Sequence, residues 1–182
     1  MNNEFNMCPM CGSKNITAPG KRKWLCPDCG FDLYNNVAAA VGIIIQDKYN
    51  NVLFEVRAKE PKKGFVALPG GFVDPDESAE EAIIRECKEE IGVDIENPVF
   101  VCTNPNTYPY KNFEYKTCDI FFTVKLPEKY ESIDDFIKAL HPQESEVTGF
   151  VSYKLERLED IDKIPLAFDS AKKTLLQFLG GK

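Results

Sequence analysis

Histidine is nearly absent from this chain: His141, in a polar loop ahead of Pro142, is the single one among 182 residues. No serine–histidine arrangement can therefore supply a nucleophilic triad, and His141 itself reads as a solvent-exposed loop residue. Any chemistry must rest on carboxylates, water and a metal ion. Long apolar runs are also missing, as is the charged-then-apolar layout of a secretory leader. The expectation is a cytoplasmic protein with reduced thiols and no membrane partner. Positive charge is in deficit, with 22 Lys and Arg against 29 Asp and Glu and a net charge of −7. A balance of that sign argues against general adhesion to duplex nucleic acid. The exception is Lys21-Arg22-Lys23-Trp24, a basic tip holding the only tryptophan. So short a patch is a small electrostatic footprint. It reads as a solvated turn with Trp24 packed on a neighbouring domain, and nucleic acid contact through it is the lesser reading.

Cysteine, by contrast, is plentiful, with seven in the chain. Cys8-Pro9-Met10-Cys11-Gly12 is echoed by Cys26-Pro27-Asp28-Cys29-Gly30. Two such knuckles supply the four thiolates of a closed tetrahedral Zn²⁺ site and leave no open position for catalysis. A redox dithiol or a pair of disulfides is the weaker alternative for a repeated knuckle followed each time by glycine. So few residues cannot bury a core of their own, so a zinc ribbon over residues 1–35 would draw most of its folding free energy from the metal. Cys87, Cys102 and Cys118 remain outside this set.

The densest chemistry lies between residues 68 and 93. Gly70 and Gly71 follow Leu68-Pro69, where the chain must turn sharply and bring its backbone close to something. Ser78 and Glu81 form a capping box, which predicts a helix from about Ala79 to Ile91 that stops at Gly92. Ala79, Ile83, Ile84, Cys87 and Ile91 make its apolar stripe, with Glu86, Glu89 and Glu90 on the flank beside it. Like charges three and four residues apart cost an isolated helix about a few tenths of a kcal/mol each. A divalent cation would remove that cost, and an oxygen-only ligand set suits Mg²⁺ or Mn²⁺. Arg85 is expected to pair with Glu81 and Glu89 and to fix the acids rather than to react. A plain solvated acidic face is the alternative for any charge run.

The offsets Gly71-x5-Glu77-x7-Arg85-Glu86-Cys87-Lys88-Glu89-Glu90-Ile91-Gly92-Val93 resemble the Nudix box, the signature of hydrolases acting on nucleoside diphosphates linked to another moiety. The departure is Cys87, where a bulky aliphatic is usual; on the buried stripe a small apolar cysteine affects packing rather than catalysis. The resemblance implies that Glu86, Glu89 and Glu90 hold the catalytic metals with the carbonyl of Gly70, and that Glu77 is an outer or additional ligand. It also implies that Glu86 or an acid of a later loop accepts the proton of the attacking water. In that loop Glu144 and Glu146 are candidates, and counting back from Phe150 favours Glu144.

The remaining chain reads as strands over Val37–Ile45, Val52–Arg57, Val99–Thr103, Thr117–Val124 and Val147–Tyr153. A closing helix over Phe168–Leu179 turns Ala171, Leu175, Leu176 and Leu179 inward. That order suits an α/β fold over residues 36–182, and the resemblance implies an α/β/α sandwich with a mixed sheet. A zinc ribbon ahead of such a domain is similar to NADH pyrophosphatases, but their downstream Ser-Gln-Pro-Trp-type motif is missing. Asn104 to Tyr115 stands in its region, where Tyr108 and Tyr110 could stack on a base or serve packing. Arg57, Lys62 and Lys63 could touch phosphates. The expected activity is metal-dependent hydrolysis of a pyrophosphate bond in a dinucleotide, an ADP-ribose-like compound or a nucleoside triphosphate. The alternative is a nucleotide-sensing regulator whose ribbon binds nucleic acid or protein. Ribbon-bearing relatives also imply a homodimer.

Overall fold

The computed structural model describes residues 6–18, 20, 22–143 and 145–181. Two residues named above, Lys21 and Glu144, lie outside them. The chain forms two compact units, Met1–Val37 with Thr107–Lys116, and Ala38–Asn106 with Thr117–Lys182. Among the described residues, no helix is long and apolar enough to cross a membrane.

The first unit carries a two-stranded antiparallel ribbon, β1 (Lys23–Leu25) and β2 (Asp32–Tyr34), with Trp24 opposite Leu33. Its two knuckles fold alike. The Gly12 N–H donates to Cys8 O at 2.9 Å and the Gly30 N–H to Cys26 O at 2.9 Å. Trp24, expected to pack on a neighbouring domain, lines a small apolar hollow of its own unit with Pro9, Ile16, Phe31 and Leu33.

The second unit is built on β3 (Ala38–Gln46), which runs parallel to β7 (Phe113–Lys125) in unbroken register from Ala38↔Thr117 to Gln46↔Lys125. Strand β4 (Asn51–Arg57) meets β3 at Gln46↔Val52, pairs along its length with β8 (Val147–Lys154), and takes the short β5 (Val66–Ala67) beside Glu55 and Val56. Strand β6 (Val99–Tyr110) closes the far edge next to β7. Parallel and antiparallel pairs make the sheet mixed.

Alternation along the strands gives each sheet face its own core. Val41, Ile43, Ile45 and Leu53 pack against Ala82, Ile83, Cys87 and Ile91 of α1 (Ala79–Glu90) and against Ile133 and Phe136 of α2 (Ile133–Ile137). Ile44, Val52, Phe54 and Phe121 pack on the opposite face against Ile161 of a 3₁₀ turn and against Ala171 and Leu175 of α3 (Asp169–Gly180). The result is the expected α/β/α layering.

Three expectations are corrected here. Strands β6 and β7 run through Asn104–Tyr115, turning only at Lys111 (φ 53°). The prolines of that segment are tolerated because β6 is an edge strand. Ile84 and Leu176 are 36% and 37% exposed, and Ala82 and Thr174 take their places inside. Glu90 is not on the flank, since it follows Ile83 and Cys87 by seven and three residues and is buried with them.

Candidate active site

Residues 69 to 73 lie alongside β3: Ile43 N–H donates to Pro69 O (2.9 Å), Val41 N–H to Gly71 O (2.8 Å) and Val73 N–H to Ala39 O (3.1 Å). Gly70 adopts φ 141°, and a Cβ on it would stand 2.2 Å from Val41 O. Only glycine fits that approach. The flanking carbonyls are used by β3, while among the described residues no backbone N–H pairs with Gly70 O.

Helix α1 starts at the capping box read from the sequence. Ser78 Oγ accepts from Glu81 N–H at 3.2 Å and the Ser78 N–H donates to the Glu81 carboxylate at 2.8 Å. That commitment removes Glu81 from Arg85. Instead Arg85 grips Glu77 in a fork, Nε to Oε1 and Nη2 to Oε2 at 2.9 Å each. Its Nη1 reaches Glu86 Oε1 at 2.9 Å and Glu89 Oε2 at 3.3 Å, and Nη2 donates also to Phe72 O at 3.0 Å. Each nitrogen is thus engaged, which makes Arg85 a clamp joining the glycine turn, the helix approach and the acids. Both Glu77 oxygens serve it, Oε2 taking the Asp74 N–H as well, and the Arg85 bonds hold the Glu77 carboxyl below the usual range.

Glu86 and Glu90 close on the two glycines. The Gly70 N–H donates to Glu90 Oε2 at 2.8 Å, and a Cβ on Gly71 would come within 2.4 Å of Glu86 Oε1. Burial raises the Glu86 carboxyl, with the Arg85 bond acting against it. Burial raises that of Glu90 too, the Gly70 hydrogen bond being outweighed. Acids packed together at such a cost, beside a carbonyl without a backbone donor, are the donor set that a hard divalent cation prefers. The residues present fit Mg²⁺ or Mn²⁺. Cys87 is buried behind them and its thiol is pushed up by burial, so it packs rather than reacts.

Sequence reasoning missed Glu55, whose buried carboxyl abuts Glu90 and is raised by burial and then by the Glu90 charge. A glutamate inside the apolar run Val52-Leu53-Phe54-Glu55-Val56 was the available signal. Glu146 forms an ion pair with Lys59, and its charge also acts on Glu90. Arg57 donates from Nε to Pro61 O at 3.0 Å and lies 5.1 Å from the Phe168 ring centre. Lys63 is exposed in the adjoining turn. Tyr108 and Tyr110 fall in the part of β6 that belongs to the other unit, where the Tyr110 and Tyr115 rings lie 6.4 Å apart. His141 is exposed.

In the ribbon, the Cys8, Cys11, Cys26 and Cys29 sulfurs all lie within 4.8 Å of one another, with Cys8–Cys29 at 3.7 Å and Cys11–Cys26 at 3.6 Å. Tetrahedral Zn–S bonds of about 2.3 Å place sulfurs about 3.8 Å apart, so the four thiols fit Zn²⁺.

Acids on a capped helix that face a glycine turn, on a mixed sheet with helices on both faces, define the class. The chain belongs to the NUDIX domain family, which matches residues 36–177. It is 31% identical over 120 residues to a NAD-capped RNA hydrolase of Schizosaccharomyces pombe, covering 58% of this chain and 32% of that protein. Over 63 residues it is 49% identical to an ADP-ribose pyrophosphatase of Methanocaldococcus jannaschii, covering 35% of this chain and 37% of that one. The chain thus spans about a third of the length of these curated relatives. A NUDIX hydrolase structure from Nitrosomonas europaea superposes with a TM-score of 0.66 at 21% identity, over 97% of this chain and 91% of that one, a likeness of fold.

Proposed function

We propose that the chain is a divalent-cation-dependent pyrophosphohydrolase of nucleoside diphosphate-linked compounds. The observation that carries this is the seating of Glu86 and Glu90 on Gly71 and Gly70. A Mg²⁺ or Mn²⁺ ion held there would neutralise phosphate charge and acidify a water. Glu86, Glu89 and Glu90 hold it with the Gly70 carbonyl, and Glu77 stays outside, orienting the acids through Arg85. Glu86 or a carboxylate of the 144–146 loop takes the proton of the attacking water, and the Pα or Pβ side of the pyrophosphate leaves as a phosphate-ended fragment. On this reading Lys63 and Arg57 contact the phosphates. Cys8, Cys11, Cys26 and Cys29 hold a structural Zn²⁺ in a ribbon over residues 1–35, apart from the chemistry of residues 36–182. The named activities of the two relatives, on NAD-capped RNA and ADP-ribose, supply the substrate class.

A panel of dinucleotides, ADP-ribose, nucleoside triphosphates and NAD-capped RNA, each with Mg²⁺ and with Mn²⁺, tests the proposal. At least one member should be cleaved, and Glu89→Gln should lower turnover by orders of magnitude with the fold kept. Turnover of that variant within about threefold of the parent at saturating Mg²⁺ would defeat the cation assignment. Tight binding of a panel member without hydrolysis would favour a sensor instead.

A further inference from the structure

Strand β4 is apolar from Val52 to Val56 except at Glu55, whose side chain is only 3% exposed. Buried acids persist where something compensates them. Asp47, the comparable buried acid of the β3–β4 turn, shows what a structural role looks like. Its oxygens accept from the Tyr49 and Asn51 N–H groups, the Asn51 side chain and the Ile133 N–H, at 2.9 to 3.0 Å. Glu55 has no such set of donors, and the group its carboxyl meets is the Glu90 carboxyl. Among the described residues no lysine or arginine forms an ion pair with it, and Oε2 is buried without a hydrogen-bond partner. Leu53, two residues earlier, packs on the α1 side of the sheet, and alternation turns Glu55 the same way, onto Glu90. An acid with an orphaned oxygen is therefore pressed against another acid that the Gly70 N–H holds in the cation site.

We propose that Glu55 is a further carboxylate ligand of the divalent cation, entering from β4 behind Glu90, an inference that rests on the cation reading above. The missing partner of Oε2 is the ion itself. This makes the site deeper than the helix acids alone, with one ligand fixed to the sheet.

Mn²⁺ binding to the full chain, followed by electron paramagnetic resonance of the free ion, tests this in the parent, Glu55→Gln and Glu55→Leu. Melting temperatures with and without Mn²⁺ accompany it. Glu55→Gln keeps the length of the side chain, and Glu55→Leu buries no polar atom. The expected result is affinity weakened by about tenfold or more, a metal-free melting temperature equal to or above the parent's, and a smaller rise on adding Mn²⁺. Parental affinity in either folded variant overturns the proposal. So does loss of fold in both, or a fall in melting temperature that is the same with and without Mn²⁺, since each marks Glu55 as structural. A parent chain that binds no Mn²⁺ would overturn the cation reading itself, which separates the two failures.

Discussion

One methyl group added at Gly71 should disable the site while sparing the fold. A Cβ there stands 2.4 Å from Glu86 Oε1 and 2.7 Å from the carboxyl carbon, whereas ordinary contact begins near 3.4 Å. The carboxylate must therefore retreat by about 1 Å. What yields is the end of a side chain, not backbone, so the cost in stability is small, and a shift of less than about 4 °C in Tm is expected. The contrast is Gly70→Ala, which combines φ 141° with a Cβ 2.2 Å from the Val41 carbonyl and so moves a strand. Function answers differently, because Glu86 holds its position through the 2.9 Å bond to Arg85 and its contact with Gly71. Misplacing a catalytic group by 1 Å costs on the order of 10²-fold, or about 3 kcal/mol of barrier. The assay is kcat/KM on the best panel substrate, beside a thermal melt and a Mn²⁺ titration. A Gly71→Ala protein with kcat/KM and Mn²⁺ affinity within about threefold of the parent would refute the claim that Glu86 must sit where the glycine lets it.

Two further outcomes follow from the other sites. Elemental analysis of freshly purified protein should find one zinc per chain, and Cys26→Ser should loosen residues before about Asn36 in hydrogen exchange while Mg²⁺-dependent turnover persists. Zinc-free protein, or the optical spectrum of an iron centre, would overturn the structural zinc. Asp47→Asn should destabilise the fold by about 2 kcal/mol in urea at neutral pH, because an amide would turn a donor toward the Ile133 or Asn51 donors. Burial works against the charged form of Asp47, but its hydrogen bonds outweigh burial and hold the carboxyl below its usual range. That stabilisation is fully present above the unfolded pKa, near 4, and is lost as pH falls through the lower folded value. The gap between parent and variant should therefore narrow below about pH 4, and a constant gap would refute the charge-based account.

Local chemistry is what the sequence exposes most directly. The capping box, the stop at Gly92 (φ 69°) and the acids of α1 depend on neighbours within a turn or two, so their spacing is visible without a fold. The Arg85–Glu77 fork was missed because Glu77 precedes the helix, and its eight-residue separation lies outside the three- and four-residue spacings at which side chains pair along one helix. Glu55 was missed for a stronger reason, since its neighbour Glu90 is 35 positions away and only the packing of α1 on β4 joins them. In β6, Pro105 and Pro109 masked a strand whose tolerance for proline comes from its place at the sheet edge.

The parallel pairing of β3 with β7 also bears on how this molecule is made. Thr117 leaves the ribosome about 80 residues after its partner Ala38, so Val41 to Ile45 must wait through the synthesis of all those residues with one edge unpaired. Its other edge is served early, by Pro69 and Gly71, and α1 follows at once to cover Val41 and Ile43. The glycine turn and its acids can thus assemble as a nascent half while the ladder that completes the sheet is still missing. Such an intermediate carries an apolar open strand, which makes it the species on which chaperone dependence and aggregation during expression should turn.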